Sequence, residues 1–174
     1  QKAIKMKPVQ NGEIRIKNNV TGFPLISAQL YPGEIGSGKV VDEIKKRAES
    51  FVYQMMILDS PAGTGCPVIA ALNGADYALL ITEPTLSGLS DLKRVLTVVR
   101  HFKIPFSIVI NKWDINPLLV SKIEKEFNNK ISGKISYDQR IFKAIANLKP
   151  IMETDLPAKE EIKKIFIELN KRLC

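Results

Sequence analysis

Polar and apolar residues alternate over Glu13-Ile14-Arg15-Ile16-Lys17, the period of a strand with one buried face. A second strand is predicted over residues 24–31, with Gly and Asn residues between the two as a turn. A helix follows over about 40–50. The apolar run 51–58 is then predicted as a strand that ends on Asp59. A short helix over 67–73 and a strand over 77–82 come next. Across 86–102, Leu89, Leu92, Val95, Leu96 and Val99 recur at helical spacing. The pattern closes with a strand over 106–110, a helix over 117–128, a short strand over 134–137, and helices over 139–148 and 158–173.

From residue 51 onward strands and helices alternate, and the strands are mostly continuous apolar runs. That order predicts an α/β fold, a mostly parallel sheet with helices on both faces. With 174 residues the chain is long enough to bury a core as one domain, 1–174. In such sheets the chemistry collects where the strands end at their carboxyl edge. Three predicted strand ends carry polar signatures: Asp59-Ser60-Pro61, Glu83-Pro84-Thr85 and Asn111-Lys112-Trp113-Asp114.

Composition narrows the setting. The apolar runs 78–81 and 108–110 are far too short to cross a bilayer. No charged-then-apolar leader opens the sequence, so the expected compartment is the cytoplasm. Two cysteines, Cys66 and Cys174, are too few for a disulfide scaffold. The opening residue is Gln1, and few turn or cap signals precede Glu13, so the chain reads as a piece of something longer. A net charge of +8 raises a nucleic-acid partner. The lysines at 45–46, 122, 125 and 163–164 are instead spread over helix faces, usually beside glutamates, which predicts solvated helix surface. A basic nucleic-acid-binding module without catalysis is the alternative, and salt-dependent binding to generic DNA or RNA would mark it.

The loop Asp59-Ser60-Pro61-Ala62-Gly63 follows an apolar run and is rich in Gly and Pro. A carboxylate delivered there suits Mg²⁺, and a glycine amide just after it suits a terminal phosphate, with Pro61 and Gly63 shaping a loop able to move. Asn111-Lys112-Trp113-Asp114 has the pattern of a base-reading loop. Its Asn amide would reach the purine edge, its Lys stem would lie over the ring, and its Asp would accept from guanine N1 and N2. The run Gly33-Glu34-Ile35-Gly36-Ser37-Gly38-Lys39-Val40 has phosphate-loop spacing, but Val40 stands where a hydroxyl must meet Mg²⁺. It is read as a helix start, not as the phosphate cradle. Cys66 reads as a small buried residue at a helix start, with a metal or cluster ligand shared across a dimer axis as the alternative. His101 ends a helix, where it favours the dipole.

Residues 57–63, 82–94 and 109–114 together resemble the MinD/ParA-type P-loop ATPases with a deviant Walker A motif. More narrowly they resemble the subgroup with an inserted bacterial-type ferredoxin domain. The opening Lys2-Ala3-Ile4-Lys5-Met6-Lys7 is similar to the residues just after the last cluster cysteine of such an insert. The resemblance covers nearly the whole chain. It implies a P-loop NTPase-like three-layer sandwich, incomplete at its N-terminal side, in an ATP-binding switch that pairs as a homodimer.

Within that resemblance Asp59 serves Mg²⁺, Gly63 belongs to the second switch loop, and Asn111 contacts the base. The segment Ser136-Tyr137-Asp138 passes beside the base, although Ser136 stands where the family has Pro. The resemblance further implies 4Fe-4S clusters in the parent's insert, an iron–sulfur or redox client, and a two-lysine phosphate loop upstream. Without that loop the 174 residues are expected not to hydrolyse ATP alone. A GTP-binding protein reading guanine through Asn111, Lys112 and Asp114 is the rival reading.

Overall fold

The computed structural model describes residues 7, 9–18 and 22–173. Most of the opening run 2–7, part of the turn between the first two strands, and Cys174 lie outside the described residues. The chain forms two compact units, Gln1–Gly74 and Ala75–Cys174.

In the first unit β1 (Gly12–Asn18) pairs antiparallel with β2 (Pro24–Leu30), Ile14 opposite Ala28 and Ile16 opposite Ile26. Helix α1 (Ser37–Ala48) follows, and Gly36 caps it at φ 109°, a left-handed conformation that favours glycine. The cap starts the helix at Ser37, about three residues before the predicted start. Helix α2 (Cys66–Leu72) lies against α1, where a Cβ on Gly38 would stand 3.2 Å from the Cys66 Cβ. Lys45 of α1 donates to the carbonyls of Ala70, at 3.1 Å, and Asn73, and so closes the C-terminus of α2.

The predicted strand over 51–58 is not formed, which corrects that expectation. Residues 51–58 contain no helix or strand, and Ile57 is 81% exposed. An apolar run becomes a strand only when a neighbour takes its N–H and C=O groups, and no described strand pairs with this one.

In the second unit β3 (Ala78–Thr82), β4 (Phe106–Asn111) and β5 (Ile131–Ile135) form a parallel sheet in the order β3-β4-β5. Helix α3 (Leu86–His101) crosses from β3 to β4, and α4 (Pro117–Phe127) crosses from β4 to β5. Thr85 accepts from the Gly88 N–H and Asn116 from the Leu119 N–H, capping these two helices. Leu89, Leu92, Leu96 and Val99 of α3 are buried, the stripe its spacing predicts. Ser107, Ile108, Val109 and Ile110 are all buried, so both faces of β4 are covered. Helix α6 (Pro157–Leu173) packs on β5, where Gly133 leaves room for Ile165. The result is the α/β architecture the alternation predicts. Thr82, Leu80 and Ala78 are buried while Leu79 and Ile81 are exposed, so β3 alternates where a continuous buried run is expected.

Strand β5 lies three residues earlier than the predicted 134–137. Pairing with β4, through a register shift between Ile108 and Val109, sets its position. At Ser136 the backbone leaves the ladder because its N–H donates to the Glu161 carboxylate instead, at 3.0 Å. The short helix α5 (Gln139–Ala146) then begins on its Asp138 cap.

Candidate functional site at the carboxyl edge of the sheet

Asp59, Pro61 and Gly63 belong to the first unit, and Asn111, Lys112, Asp114, Tyr137 and Asp138 to the second. Asp59, Pro61 and Gly63 are all exposed. Gly63 has φ +100° with nothing near its missing Cβ, so the backbone conformation and not crowding calls for glycine there. One exposed carboxylate suits Mg²⁺, which keeps waters and takes few protein ligands beside substrate phosphates. No group of three or more His, Cys, Asp or Glu that could hold a metal unaided occurs among the described residues.

Cys66 is exposed at the first turn of α2, which corrects the expectation of a small buried residue. The helix start is seated on Gly38 through the Cys66 backbone and Cβ. A 4Fe–4S cluster needs four thiolates and the sequence has two cysteines, so one chain alone does not supply a full ligand set.

The Gly33–Lys39 run does precede a helix. The strand before it, however, belongs to an antiparallel hairpin, not to a parallel sheet edge. That is not the strand–loop–helix setting in which a phosphate loop sits.

The second unit brings its predicted residues to one edge. Asn111 is the last residue of β4, in register with Ile135 of β5. Lys112 follows at φ 53°, a left-handed turn that lifts the chain out of the sheet. Its Nζ meets Glu83 Oε1, just past β3, at 2.7 Å. Trp113 and Asp114 lie in a single turn of 3₁₀ helix (Trp113–Ile115). The Lys134 ammonium stands 5.0 Å from the Trp113 ring centre and also pairs with Glu124 at 2.8 Å. Asp114 Oδ1 accepts from the Tyr137 N–H at 2.8 Å. Asp138 accepts from the Arg140 N–H at 2.8 Å and pairs with its guanidinium at 2.6 Å. The Arg140 side chain, and then its N–H, hold the Asp138 carboxyl below the ordinary range.

Two carboxylates in this cluster escaped sequence reasoning as site residues. Glu83 was legible as a polar strand end, but its tie to Lys112 spans two loops. Glu161 sits in α6, and its bonds to the Ser136 N–H and hydroxyl join residues 25 apart. No local pattern signals either pairing.

No protein-family model matches the chain. An uncharacterized protein of Methanocaldococcus jannaschii is 32% identical over 165 residues, covering 95% of this chain and 57% of that protein. An uncharacterized ATP-binding protein of the same archaeon is 26% identical over 134 residues, covering 74% of this chain and 50% of that protein. The chain thus spans about half the length of the curated relatives it matches. Among solved structures, the MinD cell division protein of Aquifex aeolicus superposes with a TM-score of 0.67 at 23% identity, over 90% of this chain and 68% of that one. The fold is MinD-like. The cell division ATPase MinD of Pyrococcus furiosus gives a TM-score of 0.61 at 19% identity, over 78% of this chain and 57% of that one. The MinD-like fold accounts for a parallel sheet with its polar loops at one edge. No helix among the described residues is long and apolar enough to cross a membrane.

Proposed function

We propose that this chain is the ATP-binding switch portion of a MinD-like ATPase, with residues 1–174 contributing to one nucleotide-binding domain. The purine lies at the carboxyl edge of β4 and β5, against Asn111, Lys112 and the segment at Tyr137 and Asp138. Asp59 serves Mg²⁺, while Pro61 and Gly63 form the loop that responds to the terminal phosphate. Mg²⁺, when bound with nucleotide, neutralises charge on the phosphates during transfer to water. The phosphate-cradling loop comes from residues other than these, for which relatives of about twice the length have room.

One observation carries the reading. The polar ends of three parallel strands are cross-tied at one edge, by Lys112 to Glu83 and by Asp114 to the Tyr137 N–H. Parallel α/β sheets bind their ligands at that edge. The MinD-like fold and a relative described as ATP-binding favour the same assignment. A nucleotide-bound homodimer, a cytoplasmic setting and an iron–sulfur client belong to the proposal on the strength of the sequence resemblance alone.

The test is calorimetric titration of the intact protein with MgATP. Asn111→Ala should weaken binding by about tenfold or more, which corresponds to ~1.4 kcal/mol. Asp59→Ala should remove the Mg²⁺ dependence. Unchanged affinity in Asn111→Ala would move the base away from this edge.

A further inference from the structure

Granting that the base lies at this edge, the carboxylate of Asp114 has two candidate tasks. A guanine reader turns both oxygens toward the N1–H and the 2-amino group of the base. In the structure Oδ1 is engaged elsewhere, accepting from the Tyr137 N–H at 2.8 Å. One residue earlier, the Ser136 N–H donates to Glu161 Oε2 at 3.0 Å and the Ser136 hydroxyl donates to Oε1 at 2.9 Å. Both main-chain donors of residues 136–137, and the Ser136 hydroxyl, therefore end on carboxylates supplied by other elements. What the main chain of this segment has left to offer a ligand is its carbonyl oxygens, which only accept.

The distinction matters for the purine. Adenine carries an amino donor at position 6, and guanine carries an acceptor there. A main chain that can only accept pairs with the first and leaves the second facing unpaired oxygens. Sites that leave a buried polar group unpaired reject the wrong ligand strongly.

We infer that Asp114 and Glu161 are positioning residues that consume the donors of the 136–137 segment, making its rim selective for a 6-amino purine against a 6-oxo purine. Glu161 has a further consequence for the chain. A proline has no N–H to satisfy, whereas the serine at 136 has one, and Glu161 reaches from α6 to take it. The tie couples the last helix to the base edge.

The experiment compares binding of MgATP, MgGTP and MgITP to the intact protein by calorimetry. In the unmodified protein GTP and ITP, both 6-oxo, should bind within about threefold of each other and at least about tenfold more weakly than ATP. Asp114→Asn keeps an oxygen for the Tyr137 N–H and should leave the ATP-to-GTP ratio within about twofold. Asp114→Ala and Glu161→Ala release donors and should each lower that ratio by about fivefold or more, whereas a general loss of stability would weaken both nucleotides alike. GTP binding much more tightly than ITP, or selective loss of GTP in Asp114→Asn, would mark Asp114 as a reader of the 2-amino group and overturn the inference. The three-nucleotide comparison decides even where an alanine variant fails to fold. Failure to bind any of the three would sink the nucleotide reading itself. ATP binding with a ratio that no alanine variant moves would sink this inference alone.

Discussion

Replacing Gly88 by alanine tests how the sheet edge is built. Gly88 lies in the first turn of α3, directly above the end of β3. Its N–H donates to Thr85 Oγ1 at 2.9 Å, and its carbonyl accepts from Thr82 Oγ1 at 3.1 Å. A Cβ there would stand 2.5 Å from the Glu83 carbonyl oxygen and 3.0 Å from Thr85 Oγ1. The first of these is backbone, so relief requires the strand end or the helix start to shift. Alanine gains up to ~1 kcal/mol in helix propensity over glycine. Overpacking against groups that cannot yield costs about 1–3 kcal/mol, and losing the Thr85 cap adds about 1 kcal/mol. The net expectation is a loss of about 1–3 kcal/mol. For a chain of this size that lowers the melting temperature by roughly 2–4 °C per kcal/mol. Urea unfolding followed by circular dichroism should show a lower midpoint with an unchanged slope. A Gly88→Ala protein as stable as the parent would refute the close approach on which the turn at Glu83 rests.

Gly133→Ala should also destabilise, by about 1–3 kcal/mol, because its Cβ would fall inside the contact distance of Ile165 Cγ1 and 3.1 Å from Cδ1. In an Ile165→Ala background the same change should cost under about 0.5 kcal/mol, and equal costs in both backgrounds would contradict the packing of α6 on β5. Ser107 Oγ is buried with no hydrogen-bond partner among the described residues, so Ser107→Ala should range from neutral to about 1 kcal/mol more stable in the same assay. The Asp138 carboxyl is held low, first by its side-chain bond to Arg140, so its contribution is present above the unfolded-state value and lost as pH falls through the folded one. A carboxyl NMR titration should show Asp138 protonating at lower pH than in Arg140→Gln, and identical midpoints would break the assignment.

Much of the fold was legible because local signals and tertiary packing agree. The helices predicted over 86–102, 117–128 and 139–148 form directly after Thr85, Asn116 and Asp138, which cap them, and the Leu89 to Val99 stripe is the buried face of α3. Where they disagree, the ladder decides. The run 51–58 has strand composition without a pairing partner among the described strands, and β5 is placed by β4 and by Glu161 drawing Ser136 out of register. The polar loop from Asn111 to Asp114 could be located because it directly follows an apolar strand. What its carboxylate does could not, since the bond from Tyr137 to Asp114 crosses 23 positions of sequence. Spacing names the residue types at a strand end. It does not say which oxygen is already taken.

Hydrogen exchange of the intact protein, with and without MgATP, tests the placement of the nucleotide most directly. New protection is expected at residues 111–115 and 136–140, the loops that leave β4 and β5. MgATP binding that protects only other segments, or no binding at all, would contradict it.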